Sequence, residues 1–318
     1  MDTDKTNHPA RWWRHFSAAA TVLTLLAAAS PGLADSLPKT KAPARPVENQ
    51  PANPHLPSLF LIGDSTVRNG AGKGDGGQWG WGDFLAPYFK TNEINVVNRA
   101  LGGTSSRTFY RDQWPRVAAL LKPGDFVILQ FGHNDKSPIN DTNRARGTLR
   151  GVADHPQIIT NLVTKKVETV HSFGWYEQAI IAEARAKGAT PMVCSLIPRN
   201  NWQHGRAARN LDDYAGWAGQ VAASEQAPFL DLNEIIARTY DQLGPDQVKP
   251  LFIVGAGPHT SRAGAQTNAI CVVAALKGLP SNPLAPFLSG PADTVTTADL
   301  SQPAPAPAHP ATDKVEPE

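Results

Sequence analysis

Leu59-Phe60-Leu61-Ile62-Gly63-Asp64-Ser65-Thr66 is the stretch from which the rest of the chain can be read. Its four consecutive apolar residues predict a strand buried on both faces, and the Gly-Asp-Ser step after them turns the chain at the rim of a sheet. Open α/β sheets bind ligands just outside the carboxyl ends of their strands, so this turn lifts the Ser65 hydroxyl to where chemistry is done. Ser65 is therefore the candidate nucleophile. Gly, Asp and Ser are also ordinary turn residues, so the step gains its weight only from partners further along the chain.

Downstream, strand-like apolar runs at 94–98, 126–131, 190–196 and 229–231 alternate with helical patterns near 81–89, 110–121, 171–186, 212–224, 233–243 and 261–277. Strands alternating with helices predict parallel pairing through right-handed crossovers, an α/β three-layer sandwich with a mostly parallel sheet. The polar stretch 136–170 departs from this alternation. Loops of that length in a compact domain are usually functional or disordered, and because this one leaves the active edge of the sheet it is expected to wall a pocket.

The 318 residues are 41% apolar, which allows a sizeable core and excludes a disordered or fibrous chain. Residues 1–34 have the layout of a secretory signal peptide: a polar start with Arg11 and Arg14, an apolar stretch, and small residues before a cut after Ala34. The apolar stretch is shorter than the roughly 20 residues of a spanning helix. The expectation is an exported protein, periplasmic or secreted, with no membrane partner after cleavage. Removing three basic and two acidic residues there takes the net charge from +2 to +1, which gives no electrostatic reason to propose nucleic acid as a partner. Residues 35–57 read as a flexible linker and 289–318, rich in Pro and Ala, as a disordered tail, leaving one domain over 58–288. Cys194 and Cys271 lack the spacing of a metal site, and a disulfide and two buried thiols are both open.

Three further features fall where Ser65 needs them. Gly102-Gly103 follows the second strand, Gly132-His133-Asn134-Asp135 follows the third, and His259 stands at the start of the last helix in Gly257-Pro258-His259-Thr260-Ser261. Acyl transfer through serine needs a base for the hydroxyl proton and donors aimed at the developing oxyanion. His259 supplies the first, and the Ser65 and Gly103 amides with the Asn134 side chain supply the second.

These four blocks, Gly63-Asp64-Ser65, the glycines ending at Gly103, Gly132-His133-Asn134-Asp135 and His259-Thr260-Ser261, resemble those of the GDSL or SGNH hydrolase superfamily. Within it, 98–107, 130–135 and 259–265 are similar to rhamnogalacturonan acetylesterases. The resemblance implies a flavodoxin-like SGNH hydrolase fold, a catalytic serine and histidine, and acetyl esters on pectic polysaccharide as substrate, with no metal or organic cofactor. Esterases of other acetylated glycans such as xylan, or of small acyl esters, share the motifs.

One position departs from the family pattern. An aspartate is expected three residues before the histidine, and Ala256 stands there. A backbone carbonyl orienting His259, a carboxylate from elsewhere such as Asp246, and a weakened, glycan-binding pseudoenzyme are three ways to read the change. Since Ser65, Gly103, Asn134 and His259 all persist, the sequence favours an enzyme with a Ser-His dyad. His133, beside the oxyanion asparagine, is a candidate substrate contact or a structural loop residue. Asp64 and Asp135 are expected to bond local amides. Trp79, Trp81 and Trp202 are expected to pack in the core, with stacking on sugar rings the alternative.

Overall fold

A computed structural model describes residues 50–304. The predicted signal peptide, the start of the linker and the end of the tail lie outside the described residues. Five parallel strands form the central sheet: β1 (Ser58–Gly63), β2 (Asn95–Asn98), β3 (Phe126–Gln130), then, after the hairpin β4 (Gln157–Thr160) and β5 (Val167–Val170), β6 (Thr190–Cys194), and finally β9 (Phe229–Leu230). Their spatial order is β2-β1-β3-β6-β9. The order reverses between β1 and β3, which opens a crevice at their carboxyl ends.

The apolar pattern of the strands explains the layers. All six residues of β1 and all five of β3 are buried, as expected of a sheet covered on both faces. Alternate residues of each strand point to opposite faces, and the core divides accordingly. Leu59, Leu61 and Ile128 pack beneath α5 (Leu232–Val248) and α6 (Arg262–Gly278). Phe60, Ile62, Val127 and Leu129 pack beneath α1 (Ser106–Asp112), α2 (Trp114–Ala118), α3 (Phe173–Ala186) and α4 (Tyr214–Ser224). The fold is the expected three-layer α/β sandwich with a flavodoxin-like sheet.

The helix expected over 110–121 is two short helices, because Pro115 sits in the first turn of α2 and cannot continue α1. The helical pattern at 81–89 is two 3-10 turns, Trp81–Phe84 and Ala86–Tyr88. A second small hairpin, β7 (Trp202–Gln203) and β8 (Arg206–Ala207), leans on α5.

Both expected domain edges fall inside packed structure. The Asn95 side chain donates to the Asn53 carbonyl at 2.8 Å, which ties residues 50–57 to β2. At the other end, the short helix α7 (Gly290–Asp293) brings Ala292 and Val295 into the core. The Lys277 ammonium donates to the Ala292 carbonyl, and the Arg238 guanidinium to that of Gln302. Reading 289–304 as tail overlooked that two small apolar residues three apart suffice to fill a gap between helices. Among the described residues, no helix is long and apolar enough to cross a membrane.

Candidate active site

The reversal point of the sheet gathers the four sequence blocks. Ser65 follows β1, Gly103 follows β2, Asn134 follows β3, and His259 precedes α6, whose N-cap Ser261 accepts from the Gly264 amide. Ser65, Gly103, Asn134 and His259 all line one cavity of about 680 Å³. The Ser65 hydroxyl lies 2.8 Å from His259 Nε2, the geometry of a hydroxyl donating to a neutral imidazole.

Glycine is required at two points of this frame. Gly63 passes so close to β3 that a Cβ would stand 2.5 Å from the Gln130 carbonyl oxygen. Gly103 has φ +85°, a left-handed conformation costly for any residue with a Cβ, and this turn aims its amide. Neither the Ser65 nor the Gly103 amide has an acceptor among the described residues. The Asn134 side-chain nitrogen spends one hydrogen on the Thr104 carbonyl at 2.8 Å and keeps a second. Ser65, Gly103 and Asn134 thus each bring an uncommitted donor to the residues lining this cavity.

Buried aspartates hold the loops. Asp135 accepts from the Ser106 amide at 3.0 Å, the Ser106 hydroxyl at 2.5 Å and the Gly132 amide at 3.0 Å, which fastens the second block to the third. Asp64 accepts from the Thr66 amide and hydroxyl. Burial pushes Asp64 up to about 6 and Asp135 up to about 7, against the donors of Thr66 and Ser106. Asp64 thus bonds local groups, as expected, whereas Asp135 bonds the local Gly132 amide and also reaches across to Ser106.

His259 is held through its backbone. Its carbonyl accepts from the Ile253 amide at 3.0 Å, and the next residue, Thr260, donates from its hydroxyl to the Trp79 carbonyl at 2.8 Å. The ring is held less well. Nδ1 is enclosed by protein with no hydrogen-bond partner at good geometry, and no carboxylate among the described residues, Asp246 included, reaches it. Burial and the nearby Arg199 guanidinium push the imidazole pKa down, and the Ala256 carbonyl works against them. That carbonyl is the backbone group closest in role to the missing aspartate.

His133 stands outside the cavity lining. It is buried, neither ring nitrogen has a partner among the described residues, and burial, with Arg199 and Lys136 nearby, pushes its pKa well down. Trp81 is fully buried with its indole N–H on the Gln130 side-chain oxygen, Trp79 packs on Phe84, and Trp202 packs against the core. Among the described residues, no group of three or more His, Cys, Asp or Glu side chains could hold a metal ion.

The stretch 136–170 does wall the cavity, through Ser137, Pro138, Asp141, Asn143, Arg144 and Arg146. Arg107, completely buried on α1, clamps it: Nη1 donates to the Ile139 and Gly147 carbonyls and Nε to the Glu168 carboxylate on β5. Burial pushes the Glu168 carboxyl up, but Arg107, Asn161 and Arg111 outweigh it and hold it down at about 2. The Arg146 Nη1 group donates to the Gly103 carbonyl at 2.7 Å and so braces the Gly103 loop. Neither arginine was singled out from the sequence.

Comparison with known proteins agrees with this geometry. The model of the GDSL-like lipase/acylhydrolase family matches residues 61–267, well over half of the chain. The probable rhamnogalacturonan acetylesterase YesY of Bacillus subtilis (strain 168) is 30% identical over 230 residues, covering 70% of this chain and 94% of that protein. The rhamnogalacturonan acetylesterase of Emericella nidulans is 27% identical over 213 residues, covering 67% and 81%. Among solved structures, the crystal structure of Bacillus subtilis YxiM is similar with a TM-score of 0.56 at 25% identity. The match covers 70% of this chain and 56% of that one, so the chain spans little more than half the length of that structure.

Proposed function

We infer function from one premise: the chain belongs to the GDSL-like lipase/acylhydrolase family. Its chemistry is that of a carboxylic ester hydrolase. We propose that it is an exported serine esterase that removes acetyl groups from plant cell-wall polysaccharide, most specifically pectic rhamnogalacturonan. The substrate rests on the two acetylesterases it is similar to, and export rests on the signal-like sequence of residues 1–34.

The observation that carries the mechanism is the 2.8 Å contact between Ser65 Oγ and His259 Nε2 inside a cavity ringed by free donors. Ser65 attacks the acetyl carbonyl as its proton passes to His259, and the carbonyl oxygen takes the developing charge among the Ser65 and Gly103 amides and Asn134. Collapse of the tetrahedral intermediate breaks the bond to the sugar oxygen, which leaves with the proton from His259. Water then gives a proton to His259 and attacks the acetyl-enzyme, and expulsion of Ser65 releases acetate. The pair works as a dyad, with the Ala256 carbonyl, among the described residues, supporting the imidazolium.

Acetate release from acetylated rhamnogalacturonan, measured for the wild type beside Ser65→Ala, tests this reading. Release that falls by at least about 10³-fold in the variant is expected. Equal release by both proteins, or none by either, overturns it. The unpartnered Nδ1 of His259 favours one second reading, a glycan-binding pseudoenzyme. It predicts saturable glycan binding without acetate release and no labelling of Ser65 by a fluorophosphonate.

A further inference from the structure

The cavity wall carries a cation that the ester chemistry does not use. Arg146 is committed to the Gly103 carbonyl and, through Nε, to the Ser137 hydroxyl at 3.1 Å. Arg144 is not committed: its guanidinium has no hydrogen-bond or ion-pair partner among the described residues, though it lines the same cavity. It overhangs the oxyanion loop, with Nη1 3.1 Å from the point where a Cβ on Gly103 would stand.

Its backbone is fixed. Asp141 Oδ1 accepts from the amides of Asn143, Arg144 and Ala145 at 2.8, 2.6 and 3.0 Å, and Ala145 takes a left-handed φ of +43°. Among the described residues, Asp141 is the only carboxylate lining the cavity, and that oxygen is spent on the turn. Outside the lining, Arg199 adds a further positive charge beside the His259 loop, its Nη1 3.6 Å from the Cβ position of Gly257. The lining itself carries two arginines, Arg144 and Arg146, against one carboxylate.

A neutral glycan offers such a guanidinium only uncharged acceptors, its hydroxyl, ring and ester oxygens. A uronate sugar presents a planar carboxylate that matches the guanidinium fork with two parallel hydrogen bonds. We propose that Arg144 is a specificity-determining residue that binds the carboxylate of a uronate at or next to the acetylated sugar, so that the cavity selects acidic over neutral acetylated glycans. The inference rests on reading the cavity as an acetylesterase site and adds which group of the glycan is recognised and by what.

Calorimetric titration with oligogalacturonate, beside the same oligomer with its carboxyls reduced to alcohols, tests the subsite without any turnover. The acid form is expected to bind at least about tenfold more tightly, with the advantage lost in Arg144→Ala, lost in Arg144→Gln, and partly kept in Arg144→Lys. The advantage should also shrink as salt is raised. Equal binding of the two oligomers, or an advantage that survives in both neutral variants, overturns the proposal. Acetate assays separate this failure from that of the esterase reading. Serine-dependent release that is as fast from neutral acetylated xylan as from the acidic polymer refutes the role of Arg144 and leaves the esterase standing. Carboxylate-selective, Arg144-dependent binding with no acetate release from any polymer refutes the esterase and leaves the subsite standing.

Discussion

His259 gives one nitrogen to Ser65 and closes the other inside the protein, where among the described residues it has no hydrogen-bond partner at good geometry. The cost of that arrangement falls on the charged form of the ring, since the imidazolium needs an acceptor at Nδ1 and meets only a neutral carbonyl. Ala256→Asp puts a carboxylate at the position from which serine hydrolases of this pattern support their histidine. We expect kcat to rise by at least about tenfold, with the roughly 10⁴-fold loss caused by removing a triad aspartate as the ceiling. An unchanged or lower kcat would mean that the Ala256 carbonyl already orients the ring. The pH profile supplies a second readout. Burial and Arg199 push the wild-type His259 pKa down, so the base stays neutral further into acid and the acid limb of kcat/KM lies below the ordinary histidine value of 6.5. The added carboxylate favours the protonated ring and moves that limb upward. A limb at or above 6.5 in the wild type would contradict the burial argument.

Among the elements, the wall formed by residues 136–150 and the β4–β5 hairpin depends on a single side chain from α1. Arg107 is buried among two carbonyls and the Glu168 carboxylate, so Arg107→Met leaves acceptors without donors in a closed space. Glu168 keeps Arg111 and Asn161, which places the expected loss at about 3 kcal/mol, the low end for breaking a buried pair. Urea unfolding measures it, and a midpoint matching the wild type would show that the wall holds itself. The same element marks how far the sequence could be read. Strands β1, β3 and β6 were legible because a strand covered on both faces is one continuous apolar run, Ser65 and Asn134 because each comes just after such a run, and Gly103 because it ends the glycine pair past the shorter β2. The β4–β5 hairpin was not, since its largely exposed residues alternate in no way that distinguishes them from loop. Arg144 and Arg146 were hidden for a related reason: their place in the cavity depends on where Arg107 pulls the chain, a contact some 30 to 60 residues apart in sequence.

For the molecule as a whole, the layer beneath the site stores protons. Asp64 and Asp135 are raised to about 6 and 7, and Glu177 on α3, with both oxygens buried and unpartnered among the described residues, is raised well above its ordinary value by burial and by Asp135. A carboxyl raised by folding contributes stability that is complete below its unfolded pKa near 4 and is lost as pH rises through its folded value. His133 acts oppositely, because its lowered pKa costs stability as pH falls below about 6.5. Glu177, raised in the same direction, adds to the stability lost as pH rises above the ordinary carboxyl value. The melting temperature should therefore fall as pH rises through the folded values of Asp64 and Asp135, about 6 and 7, and Glu177→Gln should lessen the fall. A pH dependence that Glu177→Gln leaves unchanged refutes a raised Glu177. The two cysteines complete the account of the interior. Cys194 on β6 and Cys271 on α6 are both buried and both free, and burial pushes both thiols up, that of Cys271 to about 11. No covalent cross-link joins them. Each thiol is also shielded from aromatic disulfide reagents until the sheet itself opens, which makes the pair an internal clock for global unfolding, one hand on either element.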